Sequence, residues 1–315
     1  MSLIRAELRR LLRHPLALVL AVLFAMGSLY CAWVSQDSAS WNIEQVELNL
    51  GHIDEICTSN NTAEQKARCE ADLPHQVAGL ERRKEEFLEN GARAAFAQHP
   101  VGALLWTAKL LTSIPGLTLL VLLAAFSVAG EWSRGSIVQL LLQEGRLVRL
   151  LAAKVCALWA WMMLLLALSA GATAGFGILY SSDAYPLPSP GSAGSVLADT
   201  ATGVAGASLV LAGGAAFAVA LASMVRLPLR TFLSGLLVLA IVVRTSSVTG
   251  IGAWLPGAAL ADLVGFGGMD SVWDHFWVST APSPAPALLR ALPTVAGIGL
   301  MWWWLHRRSL TRDRI

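Results

Sequence analysis

Six apolar stretches set the limits on what this chain can fold into. They cover residues 16–34, 113–130, 155–179, 201–224, 231–249 and 287–305. Each approaches or exceeds the roughly 20 apolar residues that a helix needs to cross about 30 Å of hydrocarbon. Only 14% of the 315 residues are charged, against about a quarter in soluble domains. The expectation is an all-α, polytopic membrane protein with about six transmembrane helices. The first stretch follows a basic N-terminus but lacks a small-residue cleavage site at its end, so it reads as a span rather than a removed signal.

The segments between the spans differ in kind. Residues 1–15 carry Arg5, Arg9, Arg10 and Arg13, with Ile4, Leu8, Leu11 and Leu12 at helical spacing. This predicts an amphipathic interfacial helix that turns its arginines, with Glu7 among them, to anionic headgroups. Residues 35–112 are polar and helix-forming. Ile43, Val46, Leu50, Ile53 and Cys57 make one heptad-like seam, and Leu73, Val77, Leu80, Lys84 and Phe87 make another. The run from Thr58 to Thr62 between them is a turn signal. These residues predict a helical hairpin between the first and second spans, or two amphipathic helices packed on something else. Further along come a basic segment at 131–154, a loop at 180–200, a short turn at 225–230, a Trp-bearing interfacial or re-entrant segment at 250–286, and a basic tail at 306–315.

Charge sets the orientation. With six crossings, segments 1–15, 131–154, 225–230 and 306–315 share one side and hold 14 of the 23 Lys and Arg, but 4 of the 21 acids. That side totals +10 and the other −8. The positive-inside rule then places both termini in the cytoplasm and the hairpin outside. An external hairpin sits in an oxidising compartment, where nearby thiols pair. Cys57 and Cys69, with 11 residues between them, are expected to form a disulfide, and Cys31 and Cys156 to stay free.

Catalytic patterns are sparse. The sequence has no phosphate-binding G-x-x-x-x-G-K-[ST] loop, no H-E-x-x-H and no G-x-S-x-G. His52 and His75 are either a metal pair in the hairpin or solvated histidines. Ion-coupled carriers bury acids or histidines on their path, whereas Arg244 is the one charge well inside a span here. It either snorkels outward or contacts an anionic group of a cargo. These absences point to an energy source outside the chain.

The order of features resembles the permease subunit of ABC-2 type exporters. The carriers of this resemblance are IRAELRRLLRHP before the first span, GEWSRGSIVQLLLQEGRLVRLLAAK after the second, WLPG after the fifth, and the closing RRSLTRDRI. The family pattern after the second span matches Glu131, Arg134, Gly135, Ser136, Arg146, Arg149 and Lys154. Ser136 stands where threonine is usual, and Gln143 to Arg146 replace a Pro-containing turn. The resemblance implies that 131–154 couples the permease to a separate cytoplasmic ABC ATPase. Two permease chains, identical or different, would flank a path for a peptide, drug or lipid. It also implies no cofactor in this chain, ATP and magnesium on the partner, contact with membrane lipid but not nucleic acid, and a plasma-membrane location. Two other classes stay open. One is a membrane sensor or accessory protein whose hairpin binds a ligand. The other is an intramembrane lipid-modifying enzyme, for which Asp262, Asp270, Asp274 and His275 are the nearest reactive cluster.

Overall fold

The computed structural model describes residues 2–52, 63–144, 146–180, 193–246 and 287–312. Among the described residues there is no strand. Helix α1 spans Ser2–Arg13, and an extended His14 breaks it from α2, Pro15–Gly51. Pro15 is suited to that break, because a first-turn proline needs no amide hydrogen and its φ is already helical. Helix α3 is Ala63–Gln98, and the short α4 is Pro100–Thr112. A continuous rod, α5, covers Ile114–Ser133, with a π-helical turn at Ala125–Ala129. Then come α6, Ser136–Glu144; α7, Leu147–Tyr180; α8, Ala193–Val225; α9, Pro228–Ser246; and α10, Ala287–Arg312.

Four of these are long and apolar enough to cross a membrane: α2, α5, α7 and the Thr200–Val225 part of α8. The expected fifth span falls on α9, whose apolar part, Pro228–Val242, is shorter. The expected sixth falls on α10, which is helical but is not among the four. Segment 250–286 lies outside the described residues, as do 181–192 of the expected loop.

The core gathers where α4, α5, α7 and α8 meet. Leu111, Leu120, Val128, Leu158, Met162, Leu165, Leu211 and Val219 are all nearly or fully buried there. Small residues set the spacing. At Gly235 of α9 an added Cβ would lie 2.3 Å from Cγ1 of Val121, so only glycine lets α9 come this close to α5. Indole hydrogen bonds tie the outer helices on. Trp159 Nε1 donates to Ser208 O and Oγ of α8, both at 3.2 Å, and Trp302 Nε1 of α10 donates to Ala216 O at 3.3 Å.

The second heptad-like seam lies wholly among the described residues, and the first does as far as Leu50, with Ile53 and Cys57 outside them. Val46 is buried, Ile43 and Leu50 are half-buried, and Leu73, Val77, Leu80, Lys84 and Phe87 are half-buried along α3. The second half of α2 and α3 pack on each other, with Lys84 Nζ 2.7 Å from Glu47 Oε1. Stretch 35–112 is nonetheless not one unit. Helix α2 runs through residue 35 without a break, and α4 enters the core, burying Ala103, Trp106, Thr107, Ala108 and Leu111.

Candidate functional site

One end of the bundle holds a network of four charges drawn from three elements. Helix α1 brings Glu7 and Arg10, the end of α5 brings Glu131, and the second turn of α7 brings Lys154. Lys154 Nζ lies 3.0 Å from Glu7 Oε2 and 2.9 Å from Glu131 Oε2. Its bond to Glu7 is an aligned hydrogen bond, whereas Glu131 Oε2 has no aligned donor and is held by charge contact. Arg10 Nη1 donates to the other oxygen of Glu131 at 2.8 Å and stands 3.7 Å from Glu7 Oε1. Acid and base alternate around the ring, so each charge faces two of opposite sign. The Lys154 and Glu7 side chains are only 3% and 8% exposed, a depth at which a charge needs a partner.

The pairing explains α1. Its apolar face does not lie free for a bilayer: Leu11 is buried in the core, and Leu8 and Leu12 pack beside it. Glu7 shares that inward face. Arg5, Arg9 and Arg13 remain exposed on the other side. The interfacial helix expected from sequence is therefore docked on the protein through its apolar side.

The π-helical turn aims Glu131. An extra residue in one turn rotates everything beyond it by about 100° relative to an unbroken α-helix. Glu131 is the second residue after that turn. The rod then stops at Gly135, whose φ is +74° and whose amide donates to Trp132 O at 3.2 Å. A left-handed glycine is a common helix terminator. An added Cβ at Gly135 would meet nothing within 4 Å. The requirement there is one of backbone angle, not of space.

Helix α6 is anchored by the fully buried Ile137, and Ser136 Oγ donates to Glu131 O at 3.3 Å. Val138 and Leu142 point outward, 55% and 82% exposed. Arg134, Arg146 and Arg149, before and after α6, are exposed as well. The residues picked from sequence thus divide in two. Arg134, Gly135, Arg146 and Arg149 lie on the surface, Ser136 is half-buried, and Glu131 and Lys154 face inward. Lys154 is nearly buried between Glu7 and Glu131 rather than on the surface.

Sequence reasoning passed over Trp132 and Arg226. Arg226, between α8 and α9, has a φ of +62°, alone among the described non-glycine residues. Its guanidinium carbon sits 4.2 Å from the centre of the Trp132 ring, and its Nε donates to Ser223 O at 3.4 Å. The left-handed backbone costs about 1–2 kcal/mol. A cation over an indole returns about 0.5–2 kcal/mol. The only sequence hint was a basic turn beside a proline, which reads as topology alone.

Of the other expected residues, Cys31 and Cys156 are in no disulfide. Cys69 is half-buried and not among the free thiols, and Cys57 lies outside the described residues. Arg244 falls in the last turn of α9, and its side chain lies outside the described residues. His52 is exposed, with Nδ1 2.8 Å from Leu48 O, and His75 is exposed on α3. Among the described residues no group of three His, Cys, Asp or Glu is arranged to hold a metal. Asp262, Asp270, Asp274 and His275 lie outside them. No family model, characterised protein or solved structure matches the chain.

Proposed function

We propose that this chain is the permease subunit of an ABC-2 type exporter, driven by a separate cytoplasmic ATPase that carries ATP and magnesium. One observation carries the reading. Segment 131–154, which the resemblance assigns to ATPase contact, is bound to α1 by the Glu7–Lys154–Glu131–Arg10 network at one end of the bundle. Force applied to α6 would reach α1, α5 and α7 together, because the pairs that join them are too buried to part cheaply.

The roles within 131–154 differ. Val138 and Leu142 are the exposed apolar side chains of α6, and the exposed Arg134, Arg146 and Arg149 flank that helix in sequence, with planar guanidinium groups that suit bidentate contact with carboxylates. This is the surface offered to the ATPase. Glu131 and Lys154 transmit from behind it. A second permease copy would complete a path for a hydrophobic or amphipathic cargo in the plasma membrane, with both termini cytoplasmic. The α2–α3 hairpin would stand outside, closed by a Cys57–Cys69 disulfide. Mass spectrometry of unreduced peptides should recover the two cysteines linked, and a free Cys57 would remove that detail.

The test is co-purification of the tagged chain with an ATPase that carries a phosphate loop. Leu142→Asp combined with Arg146→Glu should leave the amount of membrane-inserted chain unchanged and abolish recovery of the ATPase. Unchanged recovery would overturn the coupling surface, and with it the main support for the exporter reading.

A further inference from the structure

Arg226 is held in a backbone conformation that L-residues avoid, in a turn where glycine would rest without strain. What the chain obtains there is a guanidinium seated 4.2 Å above Trp132. Trp132 is the residue after Glu131, so the seat lies directly beside the ion network. The turn also joins α8 to α9, two helices that contribute no residue to the network. The network ties α1, α5 and α7 together, and the Arg226–Trp132 contact joins that end of α5 to the α8–α9 turn through a charged side chain.

We propose that Arg226 is a positioning residue that clamps the α8–α9 turn to the end of α5. Movement of the Glu131 end then reaches α8 and α9 when the guanidinium is on the ring, and is lost when it leaves. The functional part of this inference rests on the exporter reading, but the clamp itself does not.

The experiment reads the clamp in the full chain, in lipid nanodiscs, without any ATPase. Spin labels at Ser133→Cys and Leu227→Cys flank the contact, and Leu227 is 43% exposed. Cys31→Ala and Cys156→Ser remove the free thiols. Double electron–electron resonance should give one narrow distance distribution in this background. Trp132→Leu and Arg226→Gln should broaden it toward longer distances, and Arg226→Lys, which keeps the cation, should retain most of the narrow population. If Trp132→Leu leaves the distribution unchanged, or Arg226→Lys broadens it as much as Arg226→Gln, the clamp is wrong. Once an ATPase partner is known, Trp132→Leu should reduce cargo-stimulated hydrolysis several-fold and leave basal hydrolysis intact. Unaltered stimulation despite a broadened distance would retain the clamp and remove its part in coupling.

Discussion

Lys154 serves two carboxylates at once, and that makes it the most sensitive single position at this end of the molecule. Replacing it with methionine keeps the volume but leaves Glu7 and Glu131 to share the half-exposed Arg10, with the buried side of each carboxylate no longer neutralised. Breaking a buried pair by removing one partner costs about 3–5 kcal/mol. Lys154→Met should lower the unfolding midpoint of the detergent-solubilised chain by several degrees. Adding Glu7→Gln should recover part of the loss, because one of the stranded charges is then gone. Full recovery is not expected, since Glu131 retains its charge beside Arg10. Gly135 predicts differently. With a φ of +74° and open space around it, Gly135→Asn should cost less than Gly135→Val, since asparagine tolerates the left-handed region better than a β-branched residue. Thermal unfolding of the two variants ranks them. Glu131 and Lys154 were both found in the sequence by resemblance, but their contact was not. Local spacing reveals who shares a helix face, whereas Lys154 and Glu7 are 147 positions apart and meet only through tertiary packing.

The helices themselves were legible because their periodicity is strong and their ends are marked by proline and glycine. Pro15, Pro100 and Pro228 each open a helix, as first-turn prolines do. The hairpin seam was readable for the same reason. Its energetics should follow burial rather than charge. Val46 is 5% exposed, so Val46→Asp should open the second half of α2, seen as faster amide exchange at residues 43–50 and across α3. Lys84→Ala removes a partly exposed ion pair and should change stability by less than about 1 kcal/mol. What the sequence concealed was the continuity of α2. Polarity changes near residue 35, which reads as a boundary, but the residues beyond it still favour helix and no breaker interrupts them. The entry of α4 into the core was hidden too, because 13 residues are too few to read as a span.

At the scale of the whole molecule, segments 1–15, 131–154 and 225–230 were assigned to one side by counting charges. The contacts of Glu7, Glu131 and Arg226 gather those same segments at one end of the bundle. Labelling distinguishes which end is cytoplasmic. With the free thiols removed, a membrane-impermeant maleimide should reach Gln65→Cys in intact cells and Leu142→Cys only after lysis. The reverse pattern would invert the orientation.

Helix α2 runs 37 residues without a break, about 55 Å at the usual rise per residue, while the hydrocarbon of a bilayer is about 30 Å thick. Nearly half of it therefore exceeds what the hydrocarbon of one bilayer could cover, and α3 packs against it. Its foot is joined through His14 to α1, which the ion network grips. One unjointed helix thus carries the apolar span, the contact with α1 at its foot and the contact with α3 at its other end.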